Sequence, residues 1–165
     1  MGTLLASSFG ELNSEGEVVE IYTNDILNVS RDKDVQKREA KLAQWTLDRF
    51  SEADILIGHN SLAFDRWFLN GVLFRQNLGS IPRRIHIDTY QTAKGRLGMG
   101  ASMKNLVDIM REGSKDAPSK HDWRDANIGD PAAVARIVER CESDILLTAR
   151  MWARLKSTYM ERFGR

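Results

Sequence analysis

The run Asp54-Ile55-Leu56-Ile57-Gly58, followed at once by His59-Asn60, constrains this chain more than any other stretch. A short unbroken apolar segment closed by glycine reads as a buried strand, because a strand covered on both faces needs no alternating polar positions. From Ser61 to Gln76, Phe64, Trp67, Phe68, Leu69 and Val72 recur at helical spacing, so a helix is expected next. Strand, tight turn and helix make the repeating unit of an α/β fold, and the carboxyl end of such a strand is where sites are built. Asp65 enters that helix between Phe64 and Phe68. There a carboxylate either caps and pairs locally or faces a cation.

The flanking segments fit the same class. Two β-prone runs, 3–12 and 17–23, are separated by Asn13-Ser14-Glu15-Gly16 and read as a hairpin. Residues 32–53, with Val35, Leu42, Trp45 and Leu47 near helical spacing, read as a helix with a solvated face. Residues 84–89 read as a further strand running into a helix near 89–95, and 95–102 as a glycine-rich loop. Met103 to Met110 is helical in pattern, and residues 113–130 are irregular apart from a short helix around Trp123. Asp130-Pro131 caps and opens a last helix expected to reach Thr158, striped by Val134, Ile137, Val138, Cys141, Ile145, Thr148, Trp152 and Leu155. The order predicts one α/β domain over residues 1–165 with a mixed sheet flanked by helices.

Bulk composition excludes little. Formal net charge is +1, so only local clusters of charge argue for nucleic acid. The single cysteine, Cys141, rules out an internal disulfide scaffold and fits a reducing, cytoplasmic setting. No apolar run approaches the ~18 residues of a membrane span, so no membrane partner is expected.

On a helical wheel Asp144 falls about 60° from Cys141, at the border of the last helix's apolar stripe. It either faces solvent there or joins a partner or cation. Asp65 and Asp144 pointing at one strand end would form a hard-cation site suited to Mg²⁺ or Mn²⁺.

At this point the residues resemble a family. "DILIGHNSLAFDRWFL" resembles the second motif of the ribonuclease H-like 3′–5′ exonucleases with four acidic residues, and "ERCESDILLTARMWARL" is similar to their third. "HIDTYQTAKGRLGMGASMKNLVDIM" and "SKHDWRDANIGDPAAVARIV" resemble the intervening segments of a branch common among phage and bacterial proteins. The resemblance spans about residues 3 to 156. It implies hydrolysis of the terminal phosphodiester of a single-stranded DNA or RNA 3′ end by two divalent ions. One ion activates water and the other stabilises the leaving oxygen. It assigns Asp65 and Asp144 as metal-holding, catalytic acids, and His59, Asn60 and Phe64 as the turn beside the substrate strand. Asp88 becomes a supporting residue rather than a ligand.

Two parts of the family pattern are absent. The first motif is Asp-x-Glu on a central first strand, and none of the thirteen aspartates is followed two residues later by glutamate. Against the family, the chain begins after that strand. Three arrangements are open: a protein partner or second copy donates the strand, the hairpin pairs directly with 54–58, or the chain is N-terminally truncated. The water-orienting tyrosine or histidine is replaced by Arg140 and Glu139. Arg140 stands four residues before Asp144, as an ordinary surface pair or as a guanidinium that neutralises Asp144 in place of a metal. A weakened cation site and an impaired exonuclease follow, with an inactive relative that binds nucleic acid or protein as the alternative.

Lys94 and Lys104, with Arg83, Arg84, Arg96, Lys115 and Lys120, are the candidate phosphate contacts; without the resemblance they read as a solvated surface. Trp67 and Trp123 could stack on bases, although helical spacing places Trp67 in the core.

Overall fold

A computed structural model describes residues 2–97, 102–110 and 118–163. The chain opens with a hairpin, β1 (Ala6–Leu12) and β2 (Val18–Asp25), antiparallel with Phe9 opposite Tyr22. Its two faces are covered by different helices. Phe9 points to α1 (Val35–Glu52), where its ring meets Trp45 and Phe50 edge-on at 5.9 and 5.3 Å. Gly10, the next residue, points to the opposite face. A Cβ there would stand 2.5 Å from Ile145 Cγ2 of the last helix, α6 (Pro131–Phe163), so glycine allows that close approach.

The second strand pair is parallel: β3 (Ile55–Gly58) lies beside β4 (Ile85–Asp88) in register, Gly58 opposite Asp88. Between them runs α2 (Asp65–Arg75), and α3 (Thr89–Leu97) follows directly on β4. Then come α4 (Met103–Met110) and α5 (Lys120–Asn127), the latter opened by a reciprocal Ser119–Asp122 capping box. Asp130 caps α6 by accepting from Ala133 N at 2.7 Å.

The chain is thus a mixed α/β structure, but its strands form two separate two-stranded sheets. This corrects the single mixed sheet expected from sequence: among the described residues no hydrogen bond joins the hairpin to β3 or β4, and the hairpin does not pair with 54–58. It also corrects the expectation that β3 is buried. Ile55 is 50% exposed and its partner Ile85 61%, because no third strand covers them among the described residues.

Two apolar clusters hold the layers. Leu42 and Ala43 of α1, Leu69, Val72 and Leu73 of α2, and Val134 and Ile137 of α6 close over Leu4, Leu5 and Ile26. Ala93 of α3, Met103, Leu106 and Val107 of α4, and Leu147 and Met151 of α6 form the second. The long helix α6 therefore passes from one core to the other, and it reaches Phe163 rather than stopping near Thr158.

Helix α2 begins later than its spacing suggests. Asn60 takes a left-handed conformation (φ 59), and residues 61–64 form a turn closed by Phe64 N to Asn60 O and Arg66 N to Ser61 O. The helix is phased from Asp65, so Leu69, Val72 and Leu73 face inward while Phe64 and Trp67 stand 64% and 73% exposed. The core placement expected for Trp67 is therefore wrong. Helix α3 also runs past Gly95, into the stretch expected to be loop; residues 98–101 of that stretch lie outside the described ones.

The N-terminal segment is tied down by one buried acid. Glu39, 2% exposed, accepts from Leu4 N (2.8 Å), Arg75 Nη2 (2.6 Å) and Gln76 Nε2 (2.7 Å), joining α1, α2 and the lead-in to β1. Glu39→Ala strands a buried amide and an arginine facing it. It should lower unfolding free energy by about 3 kcal/mol in urea titration, whereas a change below about 0.5 kcal/mol would show that the hub is not needed.

Candidate functional site

The site is organised at the carboxyl ends of β3 and β4. Asp88 ends β4 almost wholly buried, and four backbone amides converge on its carboxylate. Oδ1 accepts from Asn60 N (2.9 Å), Tyr90 N (2.9 Å) and Gln91 N (3.4 Å), and Oδ2 from Leu62 N (3.1 Å). The first and last of these come from the turn after β3, the others from the first turn of α3. One side chain thus caps a helix and pins the turn that carries His59 and Asn60.

That turn is tight enough to require Gly58, where a Cβ would lie 2.2 Å from Ser61 Oγ. Ser61 Oγ stands 2.8 Å from His86 Nε2 on β4. Thr89, fully buried, donates to Gly58 O and lies 3.0 Å from His59 Nδ1. The His59 ring also meets Tyr90 edge-on at 5.8 Å. Burial holds the pKa of His59 below the usual histidine value, with Asp88 and Asp144 pulling the other way.

Asp65 and Asp144, distant in the chain, lie within electrostatic reach of each other. Asp65 occupies the first turn of α2, where the helix dipole favours a carboxylate. The residue is exposed, yet protein around its carboxyl strips away enough water to push its pKa up to about 6. Its own backbone amide opposes this, and the charges of Asp144 and then Asp88 add to it. Asp144 sits on α6 between the two cores, its side chain 36% exposed. Burial raises its pKa, with Arg140 and His59 restraining the rise. The Cys141 thiol, one turn away on α6, is pushed up to about 11 by burial and by Asp144, with a smaller push from Asp65.

Arg140 Nε contacts Asp144 Oδ2 at 3.0 Å, and the arginine side chain is only 13% exposed. The arginine is covered while the aspartate side chain is 36% exposed, so the pair lies between the two expectations. The guanidinium partly neutralises Asp144 from inside the fold. Glu139, the other replaced position, faces solvent.

The remaining candidates divide. Phe64 is exposed at the mouth of the turn and stacks parallel to Phe68 with centroids 6.4 Å apart. The Asn60 carboxamide makes no hydrogen bond among the described residues. Lys94 Nζ lies 5.9 Å from the centroid of the Tyr90 ring, the same ring that His59 meets edge-on. Lys104 instead pairs with Asp108 on the outer face of α4 at 3.0 Å, both exposed. Arg84 is committed to Ser51 O at the end of α1, at 2.9 Å. Lys115 and the Arg96 side chain lie outside the described residues. Sequence reading did not single out Ser61, His86 or Thr89 as site residues. Their only signal was polar side chains within or close after the two parallel strands.

Asp65 and Asp144 offer hard oxygen donors of the type that suits one divalent cation, too few for two. Among the described residues, no three His, Cys, Asp or Glu side chains gather into a group that could hold a metal ion. No helix among them is long and apolar enough to cross a membrane. Compared with protein-family models and with curated proteins, the chain matches none.

The raised pKa of Asp65 has a stability consequence. Its folded value, about 6, exceeds the ordinary 3.8, so the folded state binds this proton more tightly than the unfolded chain. The resulting stabilisation is full below about pH 4 and is lost as pH rises through about 6. Asp65→Asn should therefore unfold at higher denaturant than the parent at pH 7, with the advantage gone at pH 4. Equal midpoints at both pH values would mean that Asp65 is not desolvated.

Proposed function

We propose that this chain is a metal-dependent 3′–5′ exonuclease-type domain of the ribonuclease H-like class, acting on DNA or RNA ends and impaired as an isolated polypeptide. The observation that supports the reading is that Asp65 and Asp144, far apart in the chain, come close enough for the charge of Asp144 to raise the pKa of Asp65, beside the turn that Asp88 pins. Two desolvated carboxylates, one of which raises the proton affinity of the other, are a poor arrangement for stability and a good one for a cation.

In this reading Asp65 and Asp144 hold Mg²⁺ or Mn²⁺, which when bound would polarise the scissile phosphate and lower the pKa of a bound water. The exposed Phe64 ring receives the terminal base, and the Asn60 carboxamide and Lys94 orient the strand by its sugar and phosphates. His59 lies beside the acids, half-buried and held neutral by desolvation, where it lines the substrate path.

The impairment rests on two features. This sequence contains no Asp-x-Glu, so two of the four acids of the class would have to come from outside it, whether from a preceding segment, a protein partner or a second copy. The unjoined sheets support such a strand slot, since α6 packs against β1, β2 and β3 while no ladder among the described residues connects the two pairs. The second feature is Arg140, whose covered guanidinium competes with a cation for Asp144. That contact also favours the second reading, a catalytically inactive relative that binds nucleic acid or a protein partner.

The two readings separate in one assay. With a 3′-labelled single strand and Mn²⁺, the enzyme reading predicts slow shortening that falls by at least about 100-fold in Asp144→Ala. Arg140→Gln should tighten Mn²⁺ binding by releasing Asp144. Strand binding without shortening, unchanged in Asp144→Ala, supports the binding module.

A further inference from the structure

The hydrogen-bond valence around His59 fixes the chemistry of its ring. Thr89 Oγ1 lies 3.0 Å from the Gly58 carbonyl oxygen and 3.0 Å from His59 Nδ1. A carbonyl only accepts, so the one hydroxyl proton of Thr89 goes to Gly58. What Oγ1 turns to the imidazole is a lone pair, and Nδ1 must carry a proton to meet it. Thr89 is fully buried at the junction of β4 and α3, so no water competes for either bond. Two neighbours hold this geometry in place: the Asp88 carboxylate grips Asn60 N, and Tyr90 packs edge-on against the ring.

The opposite nitrogen is differently placed. Nε2 of His59 meets no hydrogen-bond partner among the described residues, and the ring is half-buried within reach of the charges of Asp88 and Asp144. Burial opposes protonation more strongly than those two carboxylates promote it. The ring is accordingly neutral near pH 7, and its lone pair is on Nε2.

We propose that Thr89 is a positioning residue, locking His59 as the Nδ1–H tautomer so that Nε2 is presented as a hydrogen-bond acceptor to an O–H donor of the bound ligand. The donor is a sugar hydroxyl of the terminal nucleotide or the water beside it. The identity of that ligand rests on the proposed exonuclease-type function, whereas the tautomer does not.

The test uses the full chain, labelled with ¹⁵N at histidine, and a long-range ¹H–¹⁵N spectrum in which protonated and unprotonated ring nitrogens fall in separate regions. The wild type should show His59 Nδ1 protonated and Nε2 bare. Thr89→Val, which keeps the shape and removes the oxygen, should lose that preference, and Thr89→Ser should restore it. A bare Nδ1 in the wild type, or an unchanged tautomer in Thr89→Val, overturns the proposal. Should the valine variant not fold, the wild-type and serine spectra still decide it.

The acceptor role is read separately. Adding adenosine 5′-monophosphate with Mg²⁺ should move the wild-type Nε2 resonance, and an unmoved resonance at saturation overturns the role. If the strand-shortening assay is positive, Thr89→Val should lose at least about tenfold in kcat/KM and Thr89→Ser should stay within about threefold of wild type. A loss in KM identifies the sugar hydroxyl, and a loss in kcat alone identifies the water. No shortening by any variant, with the tautomer as stated and Nε2 shifting on nucleotide, would reject the nuclease reading and leave this inference standing.

Discussion

The carboxylate of Asp88 is the interaction on which the site depends. A carboxylate offers about four lone-pair positions, and here four amides from two segments converge on them. A buried charge held this way is compensated by hydrogen bonds rather than by a counter-ion. The consequence is mechanical. The turn after β3 and the start of α3 move as one body, and with them the His59 ring, the left-handed Asn60 and the first turn of α2. Glu39 does similar work at the other end of the molecule, where it joins α1, α2 and the lead-in to β1. Neither acid is a candidate ligand. Both are reasons why the candidate ligands have fixed positions.

Asp65 and Asp144 show the opposite logic. Each is desolvated, and each carries a raised pKa. Helix α6 brings this about: one half is anchored in the core with α1 and α2, the other in the core with α3 and α4, and Asp144 falls between. Local strain of this kind is typical of functional sites rather than of structural ones. Arg140 relieves part of it from the same helix. In the proposed function, an internal guanidinium and an external cation would compete for the same oxygen.

Much of the architecture was legible in local pattern. The apolar stripe, the Asp130 cap and the Pro131 start fixed α6, and the polar turn between two β-prone runs fixed the hairpin, because these signals act within a few residues. The wheel also put Asp144 at the edge of the stripe, where its side chain is found. Long-range pairing was not legible. Nothing in a strand's own residues says which neighbour it bonds to, and the single mixed sheet became two. The phase of α2 was misjudged because the left-handed Asn60 delays the helix by a turn, which leaves Phe64 and Trp67 outside. The Thr89–His59 contact and the burial of Arg140 were out of reach for the same reason: both are set by what packs against a residue, not by its spacing.

The proposed function requires two distant acids to answer to one ion. The direct measurement is a substoichiometric Mn²⁺ titration followed by paramagnetic broadening of backbone amide resonances. The account predicts that amides flanking Asp65 and Asp144 broaden together and first, at one common Mn²⁺ concentration, with those around His59 close behind. Broadening confined to one of the two acids, or appearing first at unrelated acidic residues on the surface, would contradict it.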